Sequence, residues 1–233
     1  MTISTSLTEA WDASYGRREN HLFWPSDEVI KFISRYLRRR VGYDSMVDVF
    51  PGAAGSRVLD VGCGVGRYLI FGTDLGFEMY GNDLSAIAVE SARKWLVEKA
   101  GPGAAERIVA SDIRTLPWAN AYFDHAISDS VLDSMPFEVA QSGLAELARM
   151  MKSGGYFYCS LISGDETGRD PLFSDELVVT SRHEGNTIQS YFDYTKVKRL
   201  LEPFFEIKDC YLVQIRNHTG QHHGRWHVVS RRR

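Results

Sequence analysis

The run Arg57-Val58-Leu59-Asp60-Val61 is followed at once by Gly62-Cys63-Gly64-Val65-Gly66-Arg67-Tyr68, with glycine at every second position of the turn. An apolar, β-branched run of this kind suits a strand buried on both faces of a parallel sheet. The glycines remove side chains from the passage into the next helix, so the backbone can approach a ligand closely. A helix starting near Val65 aims its free N–H groups and positive dipole end at that turn, which favours an anionic or carboxylate-bearing ligand.

Two common nucleotide signatures do not fit. The dinucleotide fingerprint needs its third glycine one residue later, at the position held here by the bulky Arg67, which argues against NAD or FAD. No Gly-Lys-Ser/Thr follows, so the phosphate-binding loop of nucleoside triphosphatases is absent too. Downstream, Glu78 to Asp83 reads as a second strand that ends in an acid at the distance expected for a ribose-binding carboxylate. A third strand, Arg107 to Ala110, ends in Ser111-Asp112-Ile113, and a fourth, Tyr122 to Ser128, in Asp129-Ser130-Val131-Leu132-Asp133-Ser134. Plainer readings stand beside these: a tight strand-to-helix connection for the glycines, a helix cap for Asp83 ahead of Ser85, and a solvated turn for Asp112. A helix from Phe137 to Met151 and the Gly154-Gly155 turn lead into a fifth strand from Tyr156 to Ser160.

Taken in order from about Arg57 to Ser163, these segments resemble the cofactor site of class I S-adenosylmethionine (SAM)-dependent methyltransferases. The resemblance, at superfamily level, extends to the group that includes ubiquinone-biosynthesis and tellurite-resistance methyltransferases. It implies an α/β fold, Rossmann-like, with a seven-stranded, mostly parallel sheet, helices on both faces and an antiparallel last strand. It also implies SAM as cofactor, S-adenosylhomocysteine (SAH) as product, and a cofactor-binding set of Asp60, Gly62, Cys63, Gly64, Gly66, Asp83, Leu84, Asp112, Ile113, Ser128 and Asp129. Within that set Asp83 would meet the ribose hydroxyls, Asp112 the adenine amine, and Ile113 a face of the ring. Two departures matter: no histidine stands near Asp133 or Ser134, and no Asn-Pro-Pro-Tyr-like run follows the fourth strand, which makes methylation of a nucleobase amine a poor fit.

The chain has 233 residues, 44% hydrophobic and 24% charged, enough for one large domain with a full core. Cys63, Cys159 and Cys210 show no C-x-x-C pairing and read as reduced, largely interior thiols, in keeping with a cytoplasmic enzyme. There is no apolar run long enough to cross a bilayer and no signal segment. A net charge of −3 offers no general attraction for nucleic acid. The basic runs Arg38-Arg39-Arg40 and Arg231-Arg232-Arg233 read as helix-end compensation and a solvated tail.

Around the core (26–162), an aromatic lead-in (1–25) includes Tyr15 and Trp24, which are added to the cofactor-binding set because in many related methyltransferases such a segment folds over the cofactor. The alternative is a tether that pins the arm to the domain. Ser26 to the Arg38 run reads as an outer helix, residues 163–190 as an insertion over the site, and 191–233 as a helix from Thr195 to Leu201 with strands Phe204–Ile215 and Arg225–Ser230.

Methyl transfer from a sulfonium needs no protein nucleophile, but a hydroxyl acceptor benefits from a base. The candidates are His183, Glu184, His218, His222 and His223, with His183, His222, His223 and Asp133 taken as the catalytic set. The histidine spacing matches no zinc pattern, so no metal is assigned. The expected partner is a small-molecule or sugar-containing acceptor, methylated at oxygen or nitrogen, with no nucleic acid and no membrane; the oligomeric state stays open. An RNA or protein methyltransferase and a non-catalytic SAM- or SAH-binding module are the competing readings.

Overall fold

The glycine-bearing strand lies inside a seven-stranded sheet. The computed structural model describes residues 3–166, 169–170, 172–220 and 222–233; Thr167, Gly168 and Pro171 of the expected polar loop lie outside them. The large sheet is built from β3 (Arg57–Val61), β4 (Glu78–Asp83), β5 (Ile108–Ala110), β6 (His125–Asp129), β7 (Tyr156–Ile162), β10 (Phe205–Arg216) and β11 (His222–Arg232). Their spatial order is β10-β11-β7-β6-β3-β4-β5. Neighbours from β7 through β5 are parallel, whereas β11 is antiparallel to both β7 and β10. The last strand therefore reverses the sheet, as the resemblance implies. Two short antiparallel ribbons complete the strand list: β1 (Arg38–Arg40) with β2 (Met46–Asp48), and β8 (Glu176–Val178) with β9 (Ile188–Ser190).

Alternation along β3 and β7 sorts side chains to the two faces. One face meets α5 (Phe137–Met150) and α6 (Tyr194–Leu201), packing Leu59, Val61, Phe157, Cys159 and Leu161 against Leu144, Leu147, Leu200 and Leu201. The other meets α2 (Asp27–Phe32), α3 (Arg67–Asp74) and α4 (Ala86–Ala100), with Val58, Met79, Ile127 and Tyr158 against Phe32, Leu69 and Leu96. The outer helix predicted after Ser26 is α2, and it continues as a π-helical turn, Ile33–Leu37, before the chain extends into β1.

The sequence reading needs correction in several places. The lead-in contains a helix, α1 (Ile3–Gly16). Arg38–Arg40 form a strand rather than a helix end, and Arg38 Nη1 donates to the Leu75 carbonyl at 2.7 Å. Arg231 and Arg232 are not a solvated tail: they belong to β11 and donate to the Gly154 and Ala148 carbonyls at 2.8 and 2.7 Å. The fourth strand starts at His125, because Ala121 takes a left-handed φ of 50° and Phe123 is held by an isolated bridge to Met151. The 163–190 segment is fastened to α6 by Lys196, whose buried Nζ donates to Ser174 O, Tyr191 O and Ser190 Oγ at 2.7 to 2.9 Å.

Phe157 is fully buried and packs on Phe205 with ring centroids 5.1 Å apart. Phe157→Ala is expected to lower unfolding free energy by about 3–5 kcal/mol. In urea titrations this moves the midpoint while the slope stays that of the parent chain.

Candidate functional site

At the carboxyl ends of β3, β4, β5 and β6 the sheet opens into a cavity of about 920 Å³. Its floor is the glycine turn. Gly62 and Gly64 take φ values of 68° and 53°, a region costly for residues with a Cβ. Space forbids side chains there as well: a Cβ would fall 2.5 Å from Val131 Cγ2 at Gly62 and 2.8 Å from Tyr15 Oη at Gly64.

The turn is fastened to the end of β4. Cys63 N–H donates to the Asn82 carbonyl and Gly64 N–H to Asp83 Oδ2, both at 2.8 Å. Ser85 N–H donates to Asp83 Oδ1 at 2.9 Å. Burial pushes the Asp83 carboxyl up to about 6, with the N–H groups of Ser85 and Gly64 working against that rise. Beside it, Asn82 Oδ1 and Ser111 Oγ are buried without a hydrogen-bond partner among the described residues, and both residues line the cavity. Such orphaned polar atoms imply an external partner. Asp112 faces the same space and is gripped by Arg114 through Nε at 2.9 Å and Nη2 at 2.6 Å.

Across the cavity, Asp129 accepts hydrogen bonds from Arg67 Nη2 at 2.8 Å, Ser160 Oγ at 2.6 Å and the Tyr68 hydroxyl. Burial alone would raise this carboxyl; the Arg67 charge and the two hydroxyl bonds outweigh it and hold Asp129 below the ordinary range. Arg67 spends one donor there while its guanidinium lies 4.5 Å from the Tyr68 ring centroid. The roof comes from two segments. Leu7, Trp11 and Tyr15 of α1, with Asn20 and Leu22 after it, cover one part, and Glu184 of the 163–190 segment covers another. Glu19 joins them, accepting from Ser14 Oγ at 3.0 Å and from the Glu184 N–H at 3.2 Å.

The fold thus gathers Gly62, Cys63, Gly64, Asp83, Leu84, Asp112, Ile113, Asp129 and Tyr15 around one cavity. Other expected site residues lie elsewhere. Asp60, Gly66 and Ser128 are buried behind the lining, and burial drives the Asp60 carboxyl well up despite nearby Arg67. Trp24 is 86% exposed and off the cavity wall. Asp133 is also off the wall: its carboxylate accepts the Ile162 N–H at 2.7 Å and is paired with Arg225, which makes it a strut between loop and sheet rather than an accessible base. His222 and His223 stand where β11 runs past the end of β7, and His223 Nδ1 is 2.8 Å from Glu166 Oε1. The side chain of His183 is 61% exposed and points at Glu19 and Glu184; only its neighbour Glu184 reaches the lining. Among the described residues no group of three or more His, Cys, Asp or Glu is arranged to hold a metal ion.

The sequence reading missed Arg67 as a wall residue, and with it Tyr68, Arg114, Asn20, Leu22 and Glu138. It also passed over a usable signal. Leu7, Trp11 and Tyr15 recur every four residues, the stripe of one helix face.

Comparison with known proteins agrees with this architecture. Residues 59–159 match the family described as "Methyltransferase domain". A malonyl-[acyl-carrier protein] O-methyltransferase of Enterobacter lignolyticus (strain SCF1) is 33% identical over 132 residues, 55% of this chain and 47% of that protein. Its counterpart in Pectobacterium atrosepticum is 30% identical over 120 residues, 50% of this chain and 43% of that protein. The chain thus spans about half the length of the curated relatives it matches. Magnesium protoporphyrin IX methyltransferase from Synechocystis PCC 6803, solved with bound SAH, superposes with a TM-score of 0.69 at 17% identity over 100% of both chains, a likeness of fold. Residues 59–159 thus match a methyltransferase domain, and the sheet order and glycine turn built around them agree with the class I SAM-dependent methyltransferase fold.

Proposed function

We propose that this chain is a methyltransferase that uses SAM to methylate a small-molecule acceptor at oxygen or nitrogen. One observation carries the reading: a side-chain-free turn, a buried acid held by backbone N–H groups, and two residues with orphaned polar atoms all line a single cavity. In this reading the backbone at Gly62 to Gly64 receives the amino acid end of the cofactor. Asp83 accepts from the ribose hydroxyls, and Asn82, Ser111, Asp112 and Ile113 take the purine. When bound, SAM supplies an electrophilic methyl carbon on a sulfonium.

The protein's own contribution is to hold the acceptor in line and keep water out, which the α1 roof and the 163–190 segment are built to do. Asp129 is occupied by four donors, from Arg67, Tyr68, Ser160 and Ser26, and is suited to aiming Arg67 and Tyr68 rather than to taking a proton. Glu184 replaces His183 as the group assigned to proton removal, since it lines the cavity and His183 does not. The volume, near the upper end for ligand pockets, suits a nucleoside cofactor with a small acceptor. Asp83, Asp112, Asp129, Glu138 and Glu184 outnumber Arg67 and Arg114 around it, which suits a cationic cofactor and repels a nucleic acid backbone.

A carrier-tethered acceptor is the second reading, favoured by the names of the malonyl-[acyl-carrier protein] relatives. Incubation with methyl-labelled SAM and either a metabolite extract or an acylated carrier protein separates the two by where the label appears. Label in neither, with SAH still bound, would leave a non-catalytic SAH-binding module.

Asp83 must be ionised to accept two ribose hydroxyls. SAH affinity is therefore expected to be full above pH about 6 and to weaken towards tenfold per unit below it, because the free carboxyl titrates at about 6. Asp83→Asn should abolish that pH dependence and weaken binding at pH 8 by about tenfold or more, the worth of a charged hydrogen bond. Calorimetry with SAH across pH checks both. With a hydroxyl acceptor in hand, Glu184→Gln should reduce kcat by about 100-fold or more with SAH affinity unchanged; a kcat equal to that of the parent chain would remove Glu184 from the role.

A further inference from the structure

Between α1 and α2 the chain presents three consecutive large apolar side chains to solvent. Leu22, Phe23 and Trp24 are 51%, 52% and 86% exposed. This is a fixed lip rather than a frayed strap. On one side Asn20 Nδ2 donates to Ser14 Oγ at 3.0 Å; on the other the Ser26 and Tyr68 hydroxyls meet at 3.0 Å, beside Asp129. Phe23 rests edge-on against Trp95 of α4 at 5.3 Å between centroids, and Pro25 restricts the backbone just after Trp24. A rigid indole held in water is a standing cost unless something covers it, and an indole buries on the order of 150–250 Å² when it is covered.

The lip is continuous with the cavity. Leu22 is half exposed and at the same time part of the cavity wall, where Leu7, Val131, Met135 and Val139 add further apolar surface. Two residues beyond Trp24, Ser26 touches the polar cluster of Asp129, Tyr68 and Arg67. A molecule whose polar end reaches that cluster therefore has an apolar exit over Leu22. Glu19 and Glu184 flank the same roof, so an anionic bilayer surface is poorly matched to it.

Building on the methyltransferase reading, we infer that the acceptor is amphipathic: its polar reacting end sits beside Arg67 and Asp129, and an apolar chain or ring system leaves the cavity across Leu22 and covers Trp24. The lip makes affinity depend on the length of that apolar part, which a fully enclosed pocket would cap early.

The test uses the full chain loaded with SAH and titrated with 1-alkanols from butanol to decanol. Indole emission is followed in the parent chain and in Trp24→Phe, so that their difference isolates Trp24. The expected result is a blue shift of the Trp24 emission with the longer alcohols and an affinity that rises by up to about fourfold per added CH₂. Trp24→Ser, a change at an exposed position, should flatten that rise for the longer alcohols alone and leave SAH affinity as it was. A Trp24 emission that no alcohol moves, or the same rise in Trp24→Ser, overturns the inference. So does a shift produced by phosphatidylcholine vesicles but not by alcohols, which would make the lip a membrane contact. A shift that follows protein concentration alone would make it a contact between copies and overturns the inference too. Calorimetry with SAH before any alcohol is added separates the two claims: no SAH binding fells the cofactor reading and this one with it, whereas SAH binding with an unmoved Trp24 fells this one alone.

Discussion

The two backbone N–H groups that grip the Asp83 carboxylate, from Gly64 and Ser85, tie the end of β4 to the glycine turn after β3 and to the start of α4. An ionised acid buried this deeply pays a desolvation cost, which shows as a carboxyl displaced upward to about 6. The N–H donors offset part of that cost and at the same time fix the turn in the left-handed conformations that glycine tolerates. With Leu84 as a third backbone donor, the carboxylate still has acceptor capacity left over, since its two oxygens together offer about four lone-pair sites. The same contact that shapes the crevice thus leaves it chemically unsatisfied, and this is the physical basis for a ligand there.

Three acids at the strand ends show how placement decides role. Asp83 has spare acceptor capacity and faces the cavity. Asp129 faces it too, but its oxygens are taken by Arg67, Tyr68 and Ser160, so its charge is spent on orienting neighbours. Asp133, four residues further on, turns away and pairs with Arg225 across β11, where burial raises its carboxyl against the pull of that guanidinium. Residue type alone gave no way to rank these three, because the ranking depends on which strand each one meets after folding.

What could be read directly from the sequence was local. The buried strands β3 and β7 are dense apolar runs with turn residues at their ends, β4 is marked by the acid that ends it, and the glycine spacing specifies the loop between β3 and α3 within a few residues, so the core and its acids were legible. The roof was not. The Leu7, Trp11 and Tyr15 stripe is helical, but it is set among polar residues and has no strong cap, and only its packing on Val65 and Ala88 gives it weight. The histidines drew attention by chemistry, yet His222 and His223 follow the register of β11 beyond β7, a matter of strand pairing that no spacing rule reports. Trp24 joined the expected cofactor set because the aromatic lead-in of many related methyltransferases folds over the cofactor. The structure leaves it there, and its exposure is what gives the lip its meaning.

The roof is also where the structure is thinnest. α1 is held by a small apolar cluster of Tyr15, Val65 and Ala88 with Trp11, by Ser85 Oγ donating to Asp12, and by the Glu19 contact with Glu184. The main core on either face of the sheet is far larger and shares little with it. Segments with few buried apolar contacts open at lower free energy than the domain unfolds. By that measure α1 is expected to open more readily than the sheet, the glycine turn and Asp83.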